Sequence, residues 1–249
     1  MPAVAAAAPV TVPISARKPP PRPPELRRSV PDGAGKAEPP ATTAAPPSAN
    51  APVTPPTEAS CLSALAAVPG NRVAAAAPEQ QDGDPACRVS EPVRVEALAI
   101  RGQGGQAAVT FSPPPLLSCA MARTLADWLD RSLQPLARGH FERDLVALRV
   151  GGGHECRRRN RASTGPVSEH ATGQALDIFA IKLGTGGDAV EVVVEKPQGL
   201  AQNRFLDAVR QSACGAFMTT LGPGSDAAHA NHLHVDIQER RSRASRFCQ

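Results

Sequence analysis

The sequence has little of what a nucleic-acid-binding or membrane-spanning protein needs. Aromatic residues make up only 3% of its 249 residues, and they are not interleaved with basic ones. The net charge is +4, and the basic residues are scattered apart from Arg157-Arg158-Arg159 and residues 240–243. We therefore expect no nucleic-acid partner. No stretch approaches the length of apolar sequence that crosses a bilayer, so no transmembrane helix is expected in this chain.

The first 59 residues lack the side chains that build a hydrophobic core. They contain no Cys, Trp, Phe or His and only one Leu, yet they hold 16 of the 27 prolines. Such a composition cannot offset the conformational entropy lost on folding. We expect residues 1–59 to be a disordered tether, partly polyproline II. Residues 60–249 are long enough for one sizeable core, and we expect a single, monomeric domain there.

The start of the chain lacks a basic segment and an apolar core of Leu, Ile or Phe. Residues 1–13 read MPAVAAAAPVTVP, an alanine-rich run that is similar to the end of a signal peptide. We therefore expect the true start to lie upstream and the domain to be exported.

The sequence also lacks any CxxC pair, which disfavours a zinc ribbon or a thioredoxin-type site. Its six cysteines are even in number and widely spaced, which favours three disulfides in the periplasm or outside the cell. Six reduced thiols in the cytosol are the alternative. The cysteines are Cys61, Cys87, Cys119, Cys156, Cys214 and Cys248. The expected pairing joins neighbours in sequence: Cys61–Cys87, Cys119–Cys156 and Cys214–Cys248. Each of these bonds would staple a terminus or a helix to a neighbouring element.

Apolar periodicity predicts an α+β domain with a small antiparallel sheet and flanking helices. Strands and helices do not alternate as βαβ units, which disfavours a parallel sheet. Ser118 is a suitable N-cap for the best helix, whose apolar stripe includes Trp128 as a core residue. The predicted helices cover residues 61–68, 119–133 and 199–217, and the predicted strands cover residues 93–99, 107–111, 145–150, 176–183, 189–194 and 233–237. The glycine-rich turn at residues 184–187 predicts a hairpin between two of these strands.

The last predicted strand places several metal-binding side chain types together. Alternate residues of a strand share a face, so His232, His234 and Asp236 point one way and the apolar residues between them point to the core. Two imidazoles and a carboxylate are costly to bury without a partner, and a divalent metal is a natural one. A solvent-exposed polar face is the alternative.

A second segment supplies the remaining ligands. Asp177 lies in an apolar strand, where a carboxylate must be paired or coordinated. His170 is close enough in sequence to fold back toward it, and Gly173 indicates a tight backbone passage between them. With His234, two imidazoles and one carboxylate leave a fourth tetrahedral position open, as in catalytic zinc sites with ligand distances of ~2.0–2.2 Å. A non-haem iron triad uses the same ligands but ranks lower, because export favours zinc.

These segments carry a family resemblance. The pattern Ser-x-His-x-x-Gly-x-Ala-x-Asp, followed downstream by His-x-His, resembles the zinc D-Ala-D-Ala carboxypeptidases and peptidoglycan endopeptidases, whose fold is shared with hedgehog signalling domains. The chain from Cys61 to Cys248 resembles the bacterial extensin-like C-terminal domain more closely. The motifs that carry the closer resemblance are residues 118–122, Cys156-Arg157, residues 168–170, residues 221–224 and residues 232–236.

The resemblance implies a zinc ion at His170, Asp177 and His234 and a peptidoglycan peptide, or another cell-envelope substrate, as partner. It also implies that Arg157 binds substrate near the metal, which suits the fork of a guanidinium. We expect Ser168 to form a hydrogen bond within the site. For Arg157 the alternative is a surface arginine, and for Ser168 it is a turn residue.

One position departs from the peptidase pattern. Three residues before the last zinc histidine, these peptidases usually carry Glu or Asp as general base, and here the residue is Asn231. An amide cannot accept the proton of water. His232 is the predicted substitute, while His229 is a weaker candidate and Glu155 has no predicted position. A zinc hydrolase and a catalytically impaired zinc-binding domain therefore both stay open, and a structural module without zinc is disfavoured.

Overall fold

The structure of the protein is a computed structural model. It describes residues 60–76, 84–102, 104–151, 153–159, 162–240, 242 and 245–249. The predicted tether at residues 1–59 and the signal-peptide remnant at residues 1–13 lie outside the described residues. Among the described residues, every helix is too short or too polar to cross a membrane.

Ten strands in the described part of the chain form one sheet, larger than the small sheet predicted. Their order is β1-β2-β3-β5-β6-β9-β8-β10, with β4 beside β2 and β7 beside β6. The pairing is antiparallel except between β3 and β5 and between β8 and β10. The strands are β1 Arg72–Ala75, β2 Pro92–Gly102, β3 Gly105–Ser112, β4 Leu116–Ser118, β5 Leu145–Val150, β6 Ala175–Leu183, β7 Val190–Val193, β8 Thr219–Leu221, β9 Leu233–Asp236 and β10 Phe247–Cys248. The predicted α+β class is confirmed, as is the hairpin of β6 and β7.

Four α-helices accompany the described sheet: α1 Cys61–Ala66, α2 Cys119–Trp128, α3 Gln134–Phe141 and α4 Gly199–Ala216. The side chain of Ser118 caps α2 by accepting a hydrogen bond from the Met121 N–H at 3.2 Å. The prediction of a single helix over residues 119–133 was wrong at its C-terminal end, because the α-helix stops at Trp128. Residues Leu129–Leu133 form a π-helical turn, and the chain continues as α3. Pro135 lacks the N–H that would continue the α-helical ladder, which accounts for the irregular turn before it.

The long helices bury their apolar stripes in the core, as the sequence predicted. Trp128 is 1% exposed, and its ring meets that of Phe217 edge to face, with ring centroids 5.4 Å apart. Its indole N–H donates to the hydroxyl of Ser212 on α4 at 3.0 Å. Trp128 is therefore a core residue whose polar atom is satisfied.

Three disulfides are present, but two of the three expected pairings were wrong. The bonds join Cys61–Cys119, Cys87–Cys156 and Cys214–Cys248, with Cα–Cα distances of 6.1, 5.3 and 5.8 Å. Pairing by sequence order failed because α1 packs beside α2, which brings Cys61 to Cys119 at the start of α2. All three distances lie within the usual range for disulfides.

Candidate metal centre

Two neighbouring antiparallel strands position the first two metal-binding side chains. Asp177 on β6 lies directly opposite His234 on β9. Their sequence neighbours, among them Leu176 and Val235, are buried in the hydrophobic core. Because side chains alternate along a strand, Asp177 and His234 project from the other face. Oδ1 of Asp177 lies 2.8 Å from Nδ1 of His234.

Strand β6 contains a bulge at Phe179, and side chains on both sides of the bulge are buried in the core. Val150 of β5 pairs with Ile178 and Arg149 pairs with Ala180, so Phe179 has no directly opposite partner on β5. The extra residue shifts the alternation of side chains between the two faces of the sheet, as bulges do. Phe179 then packs beside His232, with ring centroids 5.2 Å apart.

His170 approaches from a short 3₁₀ turn, Glu169–Thr172, that precedes β6. Ser168 caps this turn by accepting a hydrogen bond from the His170 N–H at 3.4 Å. The turn ends at Gly173, whose φ is +67°. A Cβ there would lie 2.7 Å from Cγ1 of Val89 and 2.8 Å from the backbone nitrogen of Ser118. The predicted tight passage is therefore present, and only glycine fits it.

The imidazole of His170 is oriented by a backbone hydrogen bond. Its Nδ1–H donates to the carbonyl oxygen of Gly153 at 2.7 Å. The other nitrogen, Nε2, then faces Asp177 Oδ1 at 3.3 Å and His234 Nδ1 at 3.2 Å. Metal-binding histidines commonly have this arrangement, in which one ring nitrogen is fixed so that the other is free to bind.

The three side chains form a compact triangle of donor atoms. The separations are 2.8, 3.2 and 3.3 Å. A tetrahedral zinc ion with ligands about 2.0–2.1 Å away requires donors about 3.3 Å apart. His170 and His234 are only 4% and 8% exposed, so the triangle lies at a buried position. This set of nitrogen and oxygen donors fits a metal ion.

The hydrogen bonds around the triangle leave it rich in acceptors. His232 donates from Nδ1 to the amide oxygen of Asn231 at 2.8 Å, so its Nε2 carries a lone pair. That Nε2 lies 3.4 Å from Oδ1 of Asp177, the oxygen that His170 Nε2 also faces. Oδ1 of Asp177 accepts the Nδ1 proton of His234 at 2.8 Å. A cation at this point would relieve the mutual repulsion of the acceptors.

Burial and hydrogen bonding shift the pKa values of the paired groups in opposite directions. Burial lowers the pKa of His234, but its hydrogen bonds to Asp177 and Asp236 outweigh burial and raise the pKa to about 9. Burial raises the pKa of Asp177, but the neighbouring imidazoles of His170 and His234 outweigh burial and hold the pKa well below its usual range. The carboxylate is therefore ionised at neutral pH.

His232 has the opposite electrostatic setting. Burial lowers its pKa below the ordinary value, and this outweighs the attraction of the nearby Asp177 charge. His232 is therefore neutral at pH 7, which is the state that accepts a proton.

A second carboxylate supports the centre from behind. Oδ2 of Asp236 lies 3.3 Å from Nε2 of His234, and its Oδ1 accepts a hydrogen bond from the Gln238 N–H at 3.1 Å. The structure thus places His232, His234 and Asp236 on one side of β9. Sequence analysis put Asp236 on this face but gave it no function; its place behind the metal-binding histidine depends on the side-chain geometry.

The triangle lies in an open cleft of about 540 Å³. Arg157 and Ser168 both line this cleft, as does Glu155, which sequence analysis had not positioned. The Arg157 Nε–H donates to Oε2 of Glu155 at 2.8 Å. The described contact of the Ser168 hydroxyl is its helix-cap bond, which is the turn role considered from the sequence. His229 also lines the cleft, with its Nδ1 2.7 Å from Asp226.

Sequence analysis gave no role to three further residues of the cleft, Thr219, Arg240 and Phe247. They come from β8 and from the last ten residues. No motif marks Thr219 or Phe247, and Arg240 stood out only as the first residue of the basic run at residues 240–243.

Comparison with curated proteins and with solved structures gave no significant match. A family described as "Extensin-like protein C-terminus" matches residues 59–249. The matched stretch is well over half of the chain and contains the donor triangle, its cleft and all three disulfides. The chain therefore belongs to the Extensin-like protein C-terminus family.

Proposed function

We propose that the domain is a zinc-dependent hydrolase that cleaves amide bonds in peptidoglycan peptides outside the cytoplasm. The observation that carries the proposal is the buried triangle of His170, Asp177 and His234 in an open cleft. Two imidazoles and one carboxylate leave a coordination position for a substrate, as in catalytic rather than structural zinc sites. The resemblance of these motifs to zinc D-Ala-D-Ala carboxypeptidases supports the reaction class and suggests a related fold.

His170, Asp177 and His234 would hold the zinc ion. When bound there, zinc supplies Lewis-acid chemistry, since it acidifies a water molecule and polarises a carbonyl group. Gly153 and Asp236 keep the two imidazoles in the required orientation through their hydrogen bonds. The three disulfides are compatible with an oxidising compartment, which supports export.

His232 is the residue that we assign to proton transfer. It is neutral at pH 7 because burial lowers its pKa, and its Nε2 points toward the centre, 3.4 Å from Asp177. Asn231 fixes the tautomer, since its amide oxygen accepts the Nδ1 proton. Nε2 is then the free acceptor for a proton of water, as a general base requires.

A zinc-binding module without hydrolytic activity is the second candidate. Asn231 favours it, because the zinc peptidases that these motifs resemble usually have a carboxylate at that position. The amide cannot accept a proton, and its oxygen is already occupied by His232. Such a module would bind peptidoglycan or a protein partner through the same cleft.

The test is release of soluble fragments from purified peptidoglycan by the full chain in the presence of one equivalent of zinc. We expect release by the wild type, loss of release in His170→Ala, and wild-type release in His140→Ala. His140 is an exposed histidine on α3 that does not line the cleft, so it is the matched control.

Asn231→Asp separates the two candidates. A carboxylate at this position can still accept the His232 Nδ1 proton, so the variant should fold and bind zinc normally. Activity that appears only in Asn231→Asp would show that the wild type is the non-catalytic module. A wild type that takes up no zinc would contradict both candidates.

A further inference from the structure

Arg240 is a cation in the cleft whose hydrogen-bonding capacity is mostly unused. Its Nη2 donates to the hydroxyl of Thr219 at 2.8 Å. Its Nε is buried and has no acceptor. Among the residues that the structure describes, no carboxylate lies within ion-pair distance of Arg240. A guanidinium has five N–H donors, so this one has several left for a ligand.

The other two arginines of the cleft are already neutralised. Arg157 forms an ion pair with Glu155 at 2.8 Å, and Arg159 forms one with Glu169 at the same distance. Each would have to give up an internal partner to bind an anion. Arg240 would not, which makes it the better anchor for an anionic group than the Arg157 that the family resemblance suggested.

A chain of contacts joins Arg240 to the metal centre. Thr219 accepts a hydrogen bond from Arg240, and Asp236 contacts His234 at 3.3 Å. Thr219 and Asp236 are also opposite each other in the pairing of β8 and β9. An anion held by Arg240 would therefore lie in the same cleft as the donor triangle, on the β8 side.

An apolar surface lies beside this arginine. Phe247 of β10 pairs with Thr219. The residue is 43% exposed and lines the cleft. Its position is fixed by the next residue, Cys248, which is bonded to Cys214 on α4. Thr219 thus adjoins both a guanidinium and an exposed aromatic ring.

We infer that Arg240 binds the free carboxylate of a peptide substrate and that Phe247 contacts the apolar side chain of the same terminal residue. Guanidinium forks match carboxylates in geometry and charge, and such bonds are among the stronger hydrogen bonds in proteins. The inference rests on the proposed function, since it names the end of the peptide that this cleft recognises. The amide next to that terminal residue is the one presented to the metal centre.

The test is equilibrium binding of N-acetyl-alanyl-alanine, in each stereochemical form, as the free acid and as the carboxamide. Binding is followed by NMR chemical-shift titration of the full chain, with and without added zinc. The wild type should prefer the acid of at least one form. Arg240→Gln should weaken binding of that acid by about tenfold to a hundredfold and leave the amide unchanged. Arg246→Gln removes the same charge from an exposed residue outside the cleft and should bind like the wild type.

Phe247→Ala should weaken binding of the acid and of the amide by the same factor, so that the preference for the acid is retained. The inference is overturned if the acid and the amide bind equally or not at all, or if Arg240→Gln keeps the preference. A preference lost in Arg157→Gln instead would assign the anchor to Arg157. Because the titrations do not depend on hydrolysis or on added zinc, these results are distinct from failure of the proposed function.

Discussion

Zinc binding at the proposed centre must displace a proton, and this gives a measurable pH dependence. The pKa of His234 is raised to about 9. At pH 7 the protonated imidazole therefore outnumbers the neutral one about 100 to 1, which costs about 2.7 kcal/mol of zinc-binding free energy. The metal needs the neutral form. Since the proton competes below the pKa, zinc affinity should rise about tenfold per pH unit toward about pH 9 and level off above it.

Isothermal titration calorimetry measures this directly. Zinc is titrated into the full chain in buffers of different ionisation enthalpy, with a competing chelator to bring the affinity into range. We expect release of about one proton per zinc ion at about pH 7, since the ionised Asp177 contributes none. His170→Ala, which keeps His234 and its carboxylate partners, separates loss of a ligand from loss of proton release.

Two results would refute the reasoning. Zinc uptake without proton release at neutral pH would mean that His234 is already neutral there. An affinity that stays constant from about pH 7 to about pH 8.5 would mean the same, because a group with a pKa near 9 must still be titrating in that range.

Three further predictions follow from the surroundings of the centre. Asp236→Asn should lower zinc affinity by about tenfold, measured by chelator competition. Hydrogen-bond partners of metal-binding histidines contribute about 10–100-fold to metal affinity, and this contact is long at 3.3 Å. An unchanged affinity would contradict the supporting role of Asp236. Gly173→Ala should lower the free energy of unfolding, measured in urea, by at least about 1–3 kcal/mol, because its φ is +67° and other atoms occupy the place of the Cβ. Gly104→Ala is the control and should change the free energy of unfolding little, because a Cβ there meets no atom within 4 Å. Replacing Cys87 and Cys156 together by Ser should destabilise the domain by about 2–5 kcal/mol in the same assay; an equal unfolding midpoint would show that this bond is not formed in solution.

Local sequence patterns were sufficient to predict the long strands and helices. The alternation in β6 and the apolar stripe of α4 were predicted almost to their ends, because both are long and periodic. The shortest strands were missed. Strands such as β8 and β10 have two or three residues and no period of their own, so neighbouring strands determine them.

The sequence by itself determined which residue types are available for the metal centre. The segment from Ser168 to Asp177 and the alternation through His234 led to the donor set, because each motif is local and its side-chain direction follows from strand geometry. The pairing of β6 with β9 decided how Asp177 meets His234. The contact of His170 with Gly153, which follows β5, decided the orientation of the third ligand.

Only the tertiary structure decided the disulfide partners and the far side of the cleft. Cys61 reaches Cys119 rather than Cys87 because helices pack by their faces, not by their order in the chain. Arg240 and Phe247 reach the cleft for a similar reason, since the hydroxyl of one threonine holds the arginine and its backbone pairs with the C-terminal strand. Such contacts join residues that are distant in sequence, and no local pattern encodes them.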